Sequence, residues 1–271
     1  MKLGCNTVLF GKNDLGTVFQ QIAWAGYTGA ELAAVPGMVE HLRSDGDAGH
    51  VAEIRSLANE HGLELYAIEA TGNLLEPDAR ARLLRTLERA HELGIGVVNI
   101  GSSGTAGDED SFGPVLEQIN ALANRARELG VRLGVKAHVG AALWNGPTLL
   151  RALDALRHSA FGVNFDPSHL YRAQEEPAAT AQQLAGHIVA CHMRDNMGRE
   201  QKVSTPDQQV PGNGDMDLPA IIKTLNTGAY DGYLTFECIG AGNFPLSHQT
   251  ALAAQARGYL HRLLREVQAW G

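Results

Sequence analysis

The fold of this chain can be predicted from two short apolar segments. Each is followed by side chains of the kinds that bind metal ions. The first is Phe161-Gly-Val-Asn-Phe-Asp-Pro-Ser-His169, and the second is His187-Ile-Val-Ala-Cys-His-Met-Arg-Asp195. Each has the length and apolar character of a buried β-strand, with carboxylate and imidazole side chains at its downstream end. In parallel α/β proteins, the downstream ends of the strands open onto the functional site. The two segments therefore predict parallel strands with a site at their carboxyl ends.

Strand-like and helix-like segments alternate along the rest of the chain. The predicted strands are residues 2–6, 29–32, 63–69, 97–101, 131–138, 161–166, 188–193 and 233–237. The predicted helices are residues 14–25, 50–61, 78–93, 112–129, 148–157, 178–185, 218–225 and 246–267. The glycines expected to cap helix C-termini are Gly26, Gly62, Gly94 and Gly130. This series of units predicts an α/β protein, a single (β/α)8 TIM barrel domain over residues 1–271.

The composition limits the classes of partner. The chain has 271 residues, of which 44% are hydrophobic, and a net charge of −8. It has no basic block for a nucleic-acid backbone and no apolar run long enough to cross a membrane. The cysteines Cys5, Cys191 and Cys238 are too scattered for a disulfide framework, and the N-terminus lacks a signal-peptide pattern. We therefore expect a cytoplasmic protein that binds a small molecule and neither nucleic acid nor membrane.

The polar residues of the predicted strands share one face. Because side chains alternate along a strand, Lys136 and His138 oppose Val135 and Ala137. The apolar face must meet the helices, so the polar face points into the mouth of the barrel. Applied to the last four predicted strands, this argument brings together Lys136, His138, Asp166, His192, Arg194 and Glu237.

Such a cluster of carboxylates and imidazoles predicts a bound cation, because a buried carboxylate without a partner is costly. Aspartate, glutamate and histidine without thiolates suit one divalent ion such as Mn²⁺, Mg²⁺, Co²⁺ or Zn²⁺. Taken singly, each residue also has a structural explanation. Asp166 before a proline is typical of a helix cap, and Glu237 at a strand end could simply pair with an arginine. The combination on neighbouring strands favours the metal site.

The same segments resemble the sugar phosphate isomerase/epimerase-like family, within the xylose-isomerase-like TIM barrels, over essentially the whole chain. The segments that carry the resemblance are Asn164-Phe-Asp-Pro-Ser-His169, Cys191-His-Met-Arg-Asp195, Pro211-Gly-Asn-Gly-Asp-Met-Asp217 and Gly232-Tyr-Leu-Thr-Phe-Glu237. The resemblance implies that a divalent metal is held by Asp166, His192 and Glu237. It also implies that His169 and Arg194 bind substrate oxygens, and that the protein is a homo-oligomer.

The sequence departs from the family pattern on the fifth predicted strand. The family usually has a metal-binding glutamate there, whereas this chain has Lys136-Ala137-His138. In one interpretation His138 becomes the fourth metal ligand. In the other, the ion has three protein ligands and Lys136 is a catalytic or substrate-binding cation, whose pKa a nearby divalent ion would lower. The structural alternatives are a salt bridge from Lys136 to Glu237 or Asp166, and a hydrogen-bonding role for His138.

Three more polar residues lie at or near the ends of the first three predicted strands. Asn6, Glu31 and Glu69 are candidates for binding substrate hydroxyls, and their alternative role is to anchor loops. No glycine-rich phosphate cradle follows the last two strands, which favours an unphosphorylated sugar or polyol as the substrate.

We predict from the sequence a metal-dependent isomerase or epimerase that acts on a small sugar or keto-sugar through an enediolate. Glu237 would move the proton, and Lys136 is the second catalytic candidate. Expelling a β-hydroxyl from the same intermediate would give a lyase or dehydratase acting on a keto-sugar, keto-glycoside or cyclitol. Losing the strand-five glutamate weakens the case for epimerisation, which needs proton transfer on both faces.

Three further hypotheses remain open. The first is a sugar-binding barrel without catalysis. The second is a phosphodiesterase like the DNA-repair nucleases of the same superfamily, which the acidic net charge of −8 disfavours. The third is an enzyme that forms a Schiff base with Lys136.

Overall fold

A computed structural model describes residues 1–200 and 202–269 and contains the predicted barrel. The strands, in chain order, are β1 Lys2–Asn6, β2 Gly29–Val35, β3 Val39–Glu40, β4 Glu64–Ala70, β5 Val97–Gly101, β6 Arg132–Lys136, β7 Phe161–Phe165, β8 Ile188–His192 and β9 Tyr233–Phe236. All except β3 pair in parallel, and β1 pairs with both β2 and β9, which closes the sheet. The α/β class and the (β/α)8 fold are therefore confirmed. The single predicted domain ends at residue 271, two residues beyond the last described one.

The helices surround the barrel as predicted. They are α1 Leu15–Trp24, α2 Ala48–Glu60, α3 Pro77–Leu93, α4 Glu109–Glu128, α5 Gly146–Leu156, α6 Pro167–Arg172, α7 Pro177–Gln183, α8 Pro206–Gln209, α9 Leu218–Thr227 and α10 Leu246–Ala269. Sequence analysis missed a 3-10 helix at Thr7–Phe10 and the short elements β3, α6 and α8. The predicted C-cap at Gly94 has the left-handed conformation (φ 75°), where the absence of a Cβ avoids strain.

The alternation of side chains explains how the core and the site are separated. Val135 and Val163 are fully buried in the apolar cluster between sheet and helices. Their neighbours Lys136 and Asn164 point the other way and lie side by side in the β6–β7 register. The apolar layer thus fixes the strands, and the strands in turn hold the polar side chains at a common level in the barrel mouth.

Predicted strand five extends two residues too far. We expected strand five to reach residue 138, but β6 ends at Lys136. The backbone then turns, with the amide of Ala141 donating to the carbonyl of His138 at 2.9 Å. The side-chain alternation that placed His138 beside Lys136 therefore stops before His138.

In the part of the chain that the structure describes, no helix combines the length and the apolar character that crossing a membrane requires.

The floor of the barrel is filled by tyrosine rings, and this makes Gly4 sensitive to substitution. The rings of Tyr66 and Tyr233 stack with centroids 3.7 Å apart, and Tyr66 Oη lies 2.8 Å from Thr235 Oγ1. A Cβ on Gly4 would overlap the ring of Tyr66, which this stacking and this hydrogen bond keep in place.

We predict that Gly4→Ala lowers the free energy of unfolding by about 1–3 kcal/mol, because the clash forces a packed ring to move. Urea denaturation measures the change. Gly258→Ala in α10 is the matched control, since a Cβ there meets nothing within 4 Å and alanine favours a helix. Equal stability of wild type and Gly4→Ala would contradict the packing described for the floor.

Candidate active site

A cavity of about 180 Å³ opens at the carboxyl ends of the strands. Polar side chains line it, namely Glu69, Asn99, Lys136, Asn164, Arg194 and Glu237. His138 and His169 lie at its edge. Asn6, Asp166 and His192 are 2% exposed or less and sit behind this surface. The structure therefore brings the predicted residues to one place, and the chemical roles assigned to them stay predictions.

Lys136 is at the centre of this group. Its Nζ lies 3.0 Å from Glu69 Oε1 and 2.9 Å from Glu237 Oε1. His192 Nδ1 is 3.1 Å away, and Asp166 Oδ2 is 3.8 Å away. Lys136 has a 7% exposed fraction, so these charges meet with little solvent between them. Lys136 therefore forms the salt bridges to Glu237 and Asp166 that were the structural alternative to a catalytic role.

The electrostatics of the site keep Lys136 positively charged. Burial by itself would lower its pKa, but the negative charges of Glu237, Glu69 and Asp166 outweigh burial and raise the pKa above its usual value. These are the effects of the protein side chains alone, and the lowered pKa expected beside a divalent ion stays a prediction. At neutral pH, Lys136 is a fixed cation rather than a base.

Arg194 is the second cation. Its Nη2 lies 3.2 Å from Asp166 Oδ2 and 3.0 Å from His169 Nε2, and its Nε donates to Ser168 Oγ at 2.8 Å. Nη1 lies 3.1 Å from Glu237 Oε2, an ion-pair distance without hydrogen-bond alignment. Asp166 also caps α6 by accepting from the backbone and hydroxyl of Ser168. Asp166 therefore caps a helix, as its structural alternative predicted, and it also forms an ion pair with Arg194.

Beneath the cavity, Glu31 organises the remaining residues. Asn6 Nδ2 donates to Glu31 at 2.9 Å and to Glu69 at 2.7 Å, and Asn99 Nδ2 donates to Glu31 at 2.6 Å. His192 Nε2 lies 2.8 Å from Glu31. Burial would lower the pKa of His192, but the charge of Glu31 dominates and raises it to about 10.

The two carboxylates that face the cavity differ in their affinity for a proton. Burial and the nearby charge of Glu237 raise the pKa of Glu69 to about 7. Burial would also raise the pKa of Glu237, but Lys136 and Arg194 outweigh it and hold this pKa well below its usual value. A group whose pKa is near neutrality is best suited to exchange protons at physiological pH. Geometry and charge therefore favour Glu69 for proton transfer, whereas the sequence pointed to Glu237.

Several buried polar atoms at the cavity have no hydrogen-bond partner in the described part of the chain. Four buried atoms there lack a hydrogen-bond partner within residues 1–200 and 202–269: Asn99 Oδ1, Asn164 Oδ1, Arg194 Nη1 and Glu237 Oε2. All four residues line the cavity. Arg194 Nη1 and Glu237 Oε2 form an ion pair with each other at 3.1 Å, which leaves the two amide oxygens as the acceptors without a partner among the described residues. Buried polar atoms normally have partners, so these two oxygens indicate a polar ligand site.

The residues fit a metal ion only in part. Glu69, His192 and Glu237 each offer one ligand atom, these atoms lie within 4.8 Å of one another, and such a group could hold an ion. The ammonium of Lys136, however, contacts all three. An ion held by these residues would therefore compete with the ammonium for the same side chains. The three donors suit an ion, and the ammonium among them opposes one.

His138 lies apart from this group. Its ring packs against that of His169, with centroids 4.3 Å apart, and its Nδ1 is 3.2 Å from the carbonyl of Val139. This hydrogen bond matches the structural alternative for His138. Its proposed role as a metal ligand stays a prediction.

Sequence analysis missed Asn99 as a site residue and, although Asn164 shares the polar face with Asp166, assigned it no role. Val97, Asn99 and Gly101 share one face of β5, so the alternation that identified Lys136 also identifies Asn99. Asn164 precedes Asp166 by two residues on the same face of its strand. Neither residue is ionisable, and the search for charged clusters therefore passed over both.

Comparison with known proteins agrees with this fold. The family model described as xylose isomerase-like TIM barrel matches residues 19–263, and the chain belongs to this family. The resemblance noted from the sequence is thereby confirmed.

The relatives vary in coverage. The rhizopine catabolism protein MocC of Rhizobium meliloti is 25% identical over 258 residues, which cover 84% of this chain and 76% of that protein. An inosose dehydratase of Clostridium perfringens is 24% identical over 144 residues, covering 48% of each chain. The chain thus spans about half the length of the inosose dehydratase that it matches. A crystal structure of the IOLI protein with a bound zinc atom has a TM-score of 0.80 at 16% identity, covers 97% of this chain and 99% of that one, and shows the shared fold.

Proposed function

We propose that this protein is a dehydratase that removes water from a small keto-cyclitol or keto-sugar. The observation that carries the proposal is the pair formed by Glu69 and Lys136. A carboxylate with a pKa of about 7 and a buried ammonium lie 3.0 Å apart at the base of one cavity. Such a pair supplies a base and a positive charge to a carbon acid next to a carbonyl group. The inosose dehydratase relatives support a cyclitol as the substrate.

Binding follows from the polar atoms of the cavity. The amide oxygens of Asn99 and Asn164 would accept hydrogen bonds from substrate hydroxyls, and Arg194 would donate to a substrate oxygen. The cavity rim is apolar, formed in part by Val35 and Met38. A rim of this kind excludes water and strengthens the electrostatic contacts beneath it.

The reaction begins when Glu69 takes the proton from the carbon next to the carbonyl. Negative charge then develops on the carbonyl oxygen, where Lys136 and Arg194 stabilise it. The C–O bond of the hydroxyl on the next carbon breaks, and a C=C bond conjugated with the carbonyl forms. Protonated Glu69 returns its proton to the departing oxygen, so that water leaves and Glu69 is regenerated.

The isomerase or epimerase predicted from the sequence would share the first step, and we place it second. Epimerisation needs proton transfer on both faces of the substrate, whereas Glu69 is the cavity carboxylate whose pKa is near neutrality. A Schiff-base enzyme needs an uncharged lysine, which the raised pKa of Lys136 disfavours. The predicted manganese or other divalent ion takes part in no step of this mechanism. The cytoplasmic location and the homo-oligomer stay predictions.

Proton NMR in D₂O tests the proposal. Incubation with a keto-inositol and with unphosphorylated keto-sugars should remove the signal of the proton next to the carbonyl and produce a vinyl signal. A compound that binds without losing any proton signal would instead identify a sugar-binding barrel without catalysis. Exchange without elimination would favour the isomerase.

The pH profile gives a second test. Glu69 must be ionised to act as a base, and the ionised fraction increases as the pH rises through about 7. We therefore predict that kcat/KM increases across this range and levels off above about pH 8. Initial rates at fixed ionic strength measure the profile. A kcat/KM that is flat or falls between about pH 5.5 and about pH 8.5 would contradict the assignment of Glu69 as base.

A further inference from the structure

We propose that the ammonium group of Lys136 takes the place of a divalent metal ion in this barrel, so that the protein works without a metal and Lys136 itself excludes one. The inference goes beyond the proposed reaction. It concerns which cation the site holds, and ion binding can be measured without a substrate.

The ammonium of Lys136 occupies the position that a metal ion would need. Within residues 1–200 and 202–269, the residues whose ligand atoms are grouped closely enough to hold an ion are Glu69, His192 and Glu237. Lys136 Nζ lies 3.0, 3.1 and 2.9 Å from atoms of these residues, in that order. The ammonium donates its hydrogens to acceptors, and the carboxylates of Glu69 and Glu237 each accept one. The ammonium is therefore placed where these donors converge.

Lys136 is also fixed in this position. It is the last residue of β6, and the neighbouring strands hold it in register opposite Gly101 and Asn164. Its side chain is 8% exposed. Swinging the ammonium out of the group would break its contacts with two carboxylates that have low exposure, which is unfavourable. An arriving ion would have to displace a cation that is already paired.

The charge of the site also opposes a divalent ion. Four buried carboxylates meet at this level of the barrel: Glu31, Glu69, Asp166 and Glu237. Lys136 and Arg194 already pair with these carboxylates, and His192 lies beside Glu31. A divalent ion added to this set would lie next to an ammonium, and the repulsion would oppose its binding.

The replacement also explains how the ammonium could serve catalysis. An N–H of Lys136 is directed to Glu69 in the resting site. When Glu69 takes the substrate proton, it loses its negative charge and its attraction for the ammonium weakens. That N–H then becomes available to the enolate oxygen formed in the same step.

Metal content tests the proposal without a substrate. The wild-type protein is dialysed against Mn²⁺, Co²⁺ or Zn²⁺ and then against metal-free buffer. It should then retain far less than one equivalent of metal per chain, as measured by mass spectrometry of the metal. Its melting temperature should change little with either added ion or chelator. Lys136→Glu should retain close to one equivalent and gain a melting-temperature increase with the same ion, because a carboxylate joins the three donors.

Two further variants keep the test decisive. Lys136→Met removes the charge at similar length and should also take up an ion if Lys136→Glu does not fold. Lys12→Glu, at an exposed lysine, is the matched control and should behave like wild type. One tightly held equivalent in wild type, lost in His192→Ala, would overturn the proposal. Failure of both Lys136→Glu and Lys136→Met to bind an ion would overturn it as well, because Lys136 would then not be what excludes the metal.

Discussion

Replacing Glu69 by glutamine lowers turnover by about 10²–10⁴-fold, because a positioned general base contributes this much to the rate. The amide keeps the shape of the carboxyl group and can still accept from Asn6 Nδ2, which lies 2.7 Å from Glu69 Oε2. It cannot take a proton. The loss should appear in kcat, with a small change in KM.

The same substitution should leave the fold intact, and this separates catalysis from stability. The folded-state pKa of Glu69 is about 7, above the usual value of 4.5. A raised pKa means that the contribution of Glu69 to stability is greatest below the unfolded-state pKa and is lost as the pH rises through about 7. At pH values above this range, Glu69→Gln should therefore be at least as stable as wild type in urea denaturation.

Glu64→Gln is the matched control. Glu64 begins the same strand, β4, at the floor of the barrel, where its side chain is 54% exposed and pairs with Lys2. This variant should retain the activity of wild type. If Glu69→Gln were as active as Glu64→Gln, Glu69 would not be the base.

Replacing Lys136 by methionine produces the second large effect, a loss of about 3–5 kcal/mol in the free energy of unfolding, measured with chelator present. Removing one partner of a buried ion pair leaves the other charge uncompensated. Here Glu69 and Glu237, both within 3.0 Å of the ammonium, would lose that partner. Turnover should also fall, since the developing oxyanion loses its nearest cation.

A double variant tests the cause of this loss. Lys136→Met combined with Glu237→Gln removes one negative charge and should recover part of the stability, which identifies charge pairing rather than packing as the cause. Lys12→Met, at an exposed position, should change stability by no more than about 0.5 kcal/mol. Equal stability of Lys136→Met and wild type would show that the ion pairs contribute little.

The fold was predictable because its signals are local and repeated. Each strand is a short apolar run, and glycines such as Gly94 mark the ends of helices. Strand ends were less predictable. The turn after Lys136 depends on a hydrogen bond between Ala141 and His138 that no periodic pattern encodes.

The charged members of the site were predictable, but their arrangement was not. Alternation along single strands placed Lys136, Asp166, His192 and Glu237 in the barrel mouth, and the structure agrees. That Lys136 lies between Glu69 and Glu237 depends on the register of strands on different sides of the barrel. Glu69 and Glu237 are 168 positions apart in the chain, and no local pattern fixes the distance between them.

The central claim is tested most directly by the mass of the product that chelator-treated wild-type protein forms from a keto-inositol in H₂O. A product lighter than the substrate by one water molecule, formed at the same rate before and after chelation, is the result that this account predicts. A product of unchanged mass, or turnover that chelation abolishes and a divalent ion restores, would contradict it.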